Sequence, residues 1–281
     1  MVKCTVGDAL KKGIALLNEN SIESAGTDAR VIMCSVIGCD KLYLTVHRDD
    51  IISEEAKNAF ITLVKRRATD EPLGYILNHR EFMSLDFYVD ENVLIPRPDT
   101  EVLVEKVISF FEGKAPAVTD MCTGSGAIAV SIARYLPKSV VRGLDISADA
   151  VRIAKLNAEK NGVSQSCSFK VHDVREPYDF LADALVSNPP YIPSEDIASL
   201  SETVRKYEPH LALDGGNDGL DFYRVIVKNS HRSLKRGGLL AFEVGCNLAQ
   251  DVCTIMEKDF SEIGIIRDIA GIERVVHGIR K

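Results

Sequence analysis

The strongest constraint on this chain is a break in it. The apolar run Ala184-Leu185-Val186-Ser187 ends at Asn188, and Pro189, Pro190, Tyr191 and Ile192 follow at once. Proline has no N–H to give to a sheet ladder, so a strand must stop there. Each proline also fixes its own φ and confines the residue before it to extended conformations. The chain therefore leaves a buried strand through a stiff corner, with Asn188 at the carboxyl end, where open α/β sheets place ligands. The corner offers one carboxamide, the free carbonyl of Pro189 and one aromatic ring in fixed relation. The Asn188 oxygen and the Pro189 carbonyl can accept both hydrogens of one planar NH₂ group while Tyr191 stacks on its plane. Pro-Pro-Tyr alone would equally serve as a strand exit followed by a core tyrosine.

From residue 116 onward, strand-like and helix-like stretches alternate. Strands are predicted at 117–121, 140–146, 167–172, 184–187 and 239–244, with helices at 125–135, 147–162, 219–234 and 247–259. This order predicts an α/β fold, a Rossmann-like, mostly parallel sheet with helices on both faces. Two consecutive strands, 263–269 and 274–279, predict one antiparallel member near an edge. Residues 1–72 read as helical. Val6, Leu10, Ile14 and Leu17 share a helical face, Thr27 or Asp28 would cap a second helix ending at Gly38, and 42–46 continues as an apolar turn. Ser53 would start a helix that ends in Lys65-Arg66-Arg67, cations suited to a helix C-terminus. Pro72 and Gly74 would break the helical run, and Glu81 to Val89 alternates as a hairpin turning near Ser84. The expected organisation is a helical domain over 1–72, a hairpin linker over 73–95 and a sheet domain over 96–281. The charges of the helical domain suit either a solvated face or a partner-docking module.

Composition excludes several classes. The 281 residues are 46% hydrophobic and 27% charged, as in ordinary globular proteins. No apolar run is long enough to span a bilayer, and Met1 to Thr5 lacks a signal-peptide core. Seven cysteines without a C-x-x-C pair read as reduced thiols in a cytoplasmic protein. A net charge of −7 argues against a broad nucleic-acid footprint.

A second motif joins the first strand to the first helix of the alternating region. Gly124 and Gly126 allow a ligand close to the backbone, and Asp145 stands at the end of the next strand, where a carboxylate can accept ribose hydroxyls. The pattern Gly124, Gly126, Ala129 also fits a dinucleotide. Asp120, just before the loop, would repel a pyrophosphate and suit the ammonium and sulfonium of S-adenosylmethionine. Asp173, at the end of the third strand, would accept an adenine amino group or cap a helix. Pro96-Arg97-Pro98 leads into a helix start at Thr100, a place suited to an anion or simply a capped N-terminus.

Taken together these pieces resemble a known family. Glu71-Pro72-Leu73-Gly74-Tyr75-Ile76, Phe82, Val93 through Glu101, Thr123 through Ala129 and Asn188-Pro189-Pro190-Tyr191-Ile192 are similar to motifs of the release factor glutamine methyltransferases, the HemK family. Tyr207-Glu208-Pro209, Leu213-Asp214-Gly215-Gly216 and Asp218-Gly219-Leu220 extend the likeness over nearly the whole chain. The resemblance implies a class I seven-stranded methyltransferase sheet behind a helical substrate-recognition domain. It implies methyl transfer from S-adenosyl-L-methionine, leaving S-adenosyl-L-homocysteine, to the side-chain N5 of the glutamine in the Gly-Gly-Gln motif of peptide chain release factors. Release factors would be the protein partners of a cytoplasmic monomer with no metal, no nucleic-acid substrate and no membrane attachment. By motif match, Asn188, Pro189, Pro190 and Tyr191 would grip the amide beside Arg97, with Asn188, Pro189 and Tyr191 catalytic. Asp120, Thr123, Gly124, Ser125, Gly126, Asp145, Asp173, Val174 and Asn188 would line the cofactor, with Thr100 near its methionine end. Two positions depart from the family: Cys122 stands where glycine is usual, and Val174 where an aromatic residue often covers the adenine. If position 122 needs a positive φ, cysteine costs about 1 kcal/mol there. The competing readings are a methyltransferase for exocyclic amino groups of nucleic-acid bases, which present the same planar NH₂, a dehydrogenase on the same sheet, and a non-catalytic cofactor-binding scaffold.

Overall fold

The computed structural model describes residues 4–176, 178 and 180–281; Met1 to Lys3, the start of the signal-peptide reading, lie outside the described residues. The chain divides into two compact units, one of residues up to His79 plus Glu202–Tyr207, the other of Arg80–Ser201 and Glu208–Lys281.

The first unit is helical. Helices α1 (Val6–Glu19), α2 (Ala25–Ile37), α3 (Lys41–Val46), α4 (Glu54–Arg67) and α5 (Leu73–Leu77) follow one another. Thr5 and Asp8 form a reciprocal capping box on α1, and the Ser53 hydroxyl caps α4 by accepting from the Ala56 N–H at 3.1 Å. Leu17, Ile32, Met33, Phe60 and Val64 fill the core. Two expectations are corrected. Helix α2 begins at Ala25, so neither Thr27 nor Asp28 is its cap; Asp28 is buried and accepts from Arg67 Nε and the Ser24 hydroxyl, both at 2.7 Å. Residues 42–46, expected as a turn, belong to α3, whose N-terminus Asp40 caps. The break at Pro72 is followed by a new helix: proline is accepted at a helix start, and α5 runs through Gly74 to a left-handed Asn78.

The second unit opens with a hairpin of β1 (Arg80–Phe82) and β2 (Leu85–Phe87). Met83 and Ser84 form its two-residue turn with φ of 50° and 55°, the left-handed pair that matches strand twist. Then come α6 (Glu101–Phe110), β3 (Ala117–Met121), α7 (Ala127–Tyr135), β4 (Val140–Asp145), α8 (Ala148–Lys160), β5 (Cys167–Val171) and β6 (Ala182–Ser187). Helix α9 (Glu202–Tyr207) belongs with the first unit, where the Tyr207 hydroxyl donates to the Thr69 carbonyl at 2.8 Å. The chain finishes with α10 (Asp221–Ser233), β7 (Leu234–Glu243), α11 (Ala249–Met256), β8 (Phe260–Arg267) and β9 (Glu273–Arg280).

The sheet has seven strands in the order β5-β4-β3-β6-β7-β9-β8, all parallel except β9. Its central strands are apolar on both faces. Val118, Ala184, Val186 and Leu239 pack against Leu103, Val107 and Ile128 of the helices on one side, while Leu185, Leu240 and Phe242 meet Tyr223, Ile226 and Met256 on the other. The strand order reverses beside β3. One half of the sheet grows from β3 towards β5 and the other from β6 towards β8, so the loops leaving β3 and β6 diverge and open a cleft. Among the described residues no helix is long and apolar enough to cross a membrane.

Candidate active site

The cleft lies at the carboxyl ends of β3, β4 and β6, with about 1080 Å³ of space counted to its open mouth. Thr123, Gly124, Ser125, Asp145, Asp173 and Val174 form one part of its wall; Arg97, Thr100, Asn188 and Pro190 form another. The structure thus brings together most of the residues singled out from sequence. Asp120, Gly126, Pro189 and Tyr191 are not on the wall itself.

The loop after β3 is built by backbone conformations that side chains resist. Cys122, Gly124 and Gly126 have φ of 61°, 52° and 80°. The cost anticipated for Cys122 is therefore incurred. Gly126 is at the start of α7, and a Cβ there would come within 2.9 Å of the Ala154 Cβ. At Gly124 a Cβ would meet nothing within 4 Å, so the cleft opens directly onto this backbone. The loop is pinned from three sides. Its Gly124 N–H donates to Asp145 Oδ2 at 2.8 Å, its Thr123 N–H to the Leu144 carbonyl at 2.9 Å, and its Ser125 carbonyl accepts from the fully buried Asn157 at 2.8 Å. Asn157 also exchanges two bonds with the Tyr88 backbone. Sequence reasoning missed Asn157; an amide inside an otherwise apolar helix face was the available signal.

The acids divide by surroundings. Asp145 accepts one backbone N–H on each oxygen, from Gly124 and from Ser147, and burial raises its pKa. Asp145 also lines the cleft. Asp120 is fully buried beneath the loop and accepts the Thr123 hydroxyl at 2.5 Å; burial pushes its pKa up to about 7. Asp120 itself does not line the cleft; Thr123, which donates to it, does. Asp173 caps no helix. It accepts the Arg175 N–H at 2.9 Å in a tight turn and pairs with the Arg175 guanidinium, whose bonds hold its pKa low. Val174 lies buried beside it, with its carbonyl accepting from Asn229 at 3.1 Å.

The corner after β6 is held differently. The Ser187 hydroxyl donates to the Met121 carbonyl at 2.5 Å, tying β6 to the glycine loop. Beyond the prolines, Ile192 exchanges backbone bonds with Leu213 and Gly215 at 3.0 and 2.8 Å. Gly215 permits this, since a Cβ there would come within 2.6 Å of the Tyr191 Cα. The Tyr191 ring lies over Gly245, and burial raises its phenol pKa. Asn188 Nδ2 donates to the buried Thr100 hydroxyl at 3.3 Å. The Arg97 guanidinium, on the cleft wall, pairs with the buried Glu208 carboxylate, which balances its charge. Glu243, at the end of β7, was also missed. It is 3% exposed, its Oε2 has no hydrogen-bond partner among the described residues, and burial pushes its pKa up to about 7. A lone carboxylate in the apolar run Leu239 to Val244 was its only sequence signal.

An open glycine backbone with a carboxylate at the end of the neighbouring strand fits an adenosine-bearing cofactor, and the apolar lining around Ile128, Ile146 and Val174 fits its base. Among the described residues no cluster of acids, histidines or cysteines is arranged to hold a metal. The crystal structure of the hMettl16 catalytic domain in complex with MAT2A 3'UTR hairpin 6 shares the fold, with a TM-score of 0.55 at 16% identity over 77% of this chain and 81% of that one. The family model described as "Methyltransferase small domain" matches residues 98–217. Fold and cleft define a class I methyltransferase that uses S-adenosylmethionine. The model "PrmC N-terminal domain" matches residues 8–77. A release factor glutamine methyltransferase of Clostridium acetobutylicum is 40% identical over 98% of both chains, and one of Geobacter sulfurreducens is 42% identical over 93% of this chain and 92% of its own. The chain belongs to the release factor glutamine methyltransferase family.

Proposed function

We propose that this enzyme methylates the side-chain N5 of the glutamine in the Gly-Gly-Gln motif of peptide chain release factors. The observation that carries the reading is that Asn188, at a proline-locked strand exit, shares one cleft wall with Gly124 and Asp145. An acceptor for an NH₂ group and a seat for the methyl donor thus stand side by side. The names of the relatives support the same substrate class.

In this reading Thr123 to Gly126 and Asp145 hold the nucleoside, Asp173 and Val174 border the base, and Thr100 lies near the methionine end. Bound S-adenosylmethionine supplies the electrophile, a methyl group on a positive sulfur, with S-adenosylhomocysteine as the departing product. Asn188 Oδ1 and the Pro189 carbonyl accept the two amide hydrogens of the substrate glutamine, Pro190 confines its plane, and Tyr191, packed over Gly245, braces the corner from off the wall. An amide nitrogen is a poor nucleophile because its lone pair is delocalised. Holding both hydrogens away from the plane localises that pair, and alignment can contribute roughly 7–11 kcal/mol when geometry is near attack. The nitrogen becomes acidic only as methyl transfer proceeds, so no strong base is needed. The helical unit, residues 1–72 in the sequence reading, would recognise the release factor, with no nucleic acid required.

Mass spectrometry of a release factor incubated with the enzyme and S-adenosylmethionine tests this. One added methyl on the Gly-Gly-Gln glutamine is expected. Methylation of DNA or RNA amino groups with no gain on the release factor would replace this reading with the nucleic-acid one.

A further inference from the structure

We infer that Asn157, which stands off the cleft wall, is a positioning residue for the methyl donor. It ties the glycine loop to a second stretch of wall, the one that follows the β1–β2 hairpin, so that the two form one seat. The inference concerns the cofactor cleft alone and holds whatever the acceptor.

Asn157 is wholly buried in α8, among Ile153, Ala154 and Ala158. An amide in such a place needs partners. It has three, all main chain. Its Oδ1 accepts the Tyr88 N–H at 2.7 Å, and its Nδ2 donates to the Tyr88 carbonyl at 3.0 Å and to the Ser125 carbonyl at 2.8 Å. An N–H needs an acceptor and two carbonyls need donors, so these partners settle which way round the amide stands. Aspartate and leucine share its outline, but neither an aspartate carboxylate nor leucine can donate to either carbonyl.

The three bonds join segments that are far apart in the chain. Ser125 sits within the glycine loop, and its carbonyl is drawn inward onto α8 while Gly124 faces open space. Tyr88 begins the stretch that runs to Arg97. Its hydroxyl donates to Asp90 Oδ2 at 3.2 Å, and Asp90 Oδ1 accepts the Asn92 N–H at 3.0 Å, so the turn is fastened at both ends. Asn92, Val93, Leu94, Pro96 and Arg97 then line the cleft. One side chain therefore sets the spacing between two parts of the wall.

The same helix carries its own control. Asn161, one turn on, donates from Nδ2 to the Asp86 carbonyl at 2.9 Å. Four residues of helix advance about 6 Å and two residues of strand about 7 Å. The two asparagines thus meet alternate carbonyls of one strand, Asp86 and Tyr88. Asn161 spends its other bond on the Asn157 carbonyl, within α8. It fastens the hairpin, whereas Asn157 fastens the hairpin and the loop.

The test is Asn157→Asp in the full chain, which keeps the acceptor for the Tyr88 N–H and sets an oxygen against both carbonyls. By calorimetry, S-adenosylhomocysteine should bind about tenfold more weakly or worse, as for a loop that holds its binding shape about one time in ten. Asn161→Ala should keep affinity within about twofold even where it lowers the melting temperature as much, because it leaves the loop tied. The second measurement uses the wild-type protein. S-adenosylhomocysteine should slow hydrogen exchange of the Tyr88 amide several-fold, although Tyr88 does not line the cleft, and change that of Leu85, at the hairpin turn, by less than about twofold. Unchanged affinity in Asn157→Asp, or equal losses in the two variants, would overturn the inference. So would a Tyr88 amide that ignores the ligand, a result that decides the matter even if Asn157→Asp does not fold. Neither measurement uses an acceptor, so failure of the release-factor reading would leave both outcomes as they are.

Discussion

Strands β3 and β6 lie side by side, with Met121 opposite Ser187, and each gives way to a loop on the rim of the same cleft. After β3 the chain turns through three residues of positive φ, Cys122, Gly124 and Gly126. After β6 it turns through Pro189 and Pro190. The first loop presents main chain: nothing stands in front of Gly124, and a ligand can lie against it. The second presents the Asn188 side chain and Pro190, and its prolines have no N–H to offer. A backbone seat is bought with unusual torsions, whereas a side-chain grip comes from removing torsional choice. Both loops rest on a buried acid, Asp120 under one and Glu243 under the other, each pushed up to about 7 by burial.

If the two loops divide their labour in this way, their variants should fail differently. The largest effect is expected at the proline corner. Asn188→Ala should lower turnover at least ~100-fold, the scale of one lost transition-state hydrogen bond, while calorimetry finds the affinity for S-adenosylhomocysteine within about threefold of wild type. A matching loss of affinity would merge the two loops into one binding device. Gly126→Ala should do the reverse. Its Cβ would press on Ala154 at a φ of 80°, so S-adenosylhomocysteine should bind about tenfold more weakly, with turnover at saturating cofactor changed less.

A third test uses pH. Asp120 has a folded pKa of about 7, above its unfolded value near 4. The folded state therefore holds the proton more tightly than the unfolded chain between these values, and stability contributed by neutral Asp120 is lost as pH rises through that window. Asp120→Asn should raise the melting temperature of the cofactor-free protein by a few degrees at pH 7.5, and by roughly 1 °C or less at pH 4.5. An equal shift at both values would mean that burial does not govern this acid. The smallest effect is expected at Cys122. Replacing it with glycine relieves a left-handed torsion worth about 1 kcal/mol, or ~2 °C in melting temperature, with turnover unchanged.

How much of this could be read from the residues follows the same division. Local rules exposed both loops: two prolines end a strand, and a glycine pair between a strand and a helix opens a backbone. Strand positions were legible because the central sheet is apolar on both faces. The lateral partners were not. Arg97 reads as a free cation until Glu208, 111 residues away, is found against it. Asp173 reads as an acceptor for a ligand until the turn brings Arg175 onto both its oxygens. Glu243 carries no local motif at all, and its neighbourhood exists only because β7 lies next to β6. Spacing within a segment is written in the sequence, while adjacency across a sheet depends on its strand order.

The short helix Glu202–Tyr207 groups with the amino-terminal residues rather than with the segments flanking it in the chain, and it is fastened there by the Tyr207 hydroxyl on Thr69. A fragment beginning at Arg80 would keep that turn of chain but strip away the helices it packs with, and a fragment ending at His79 would lack it. Truncation at the obvious boundary therefore cuts a folded body in two, and dissecting this protein calls for grafting residues 202–207 onto the shorter piece.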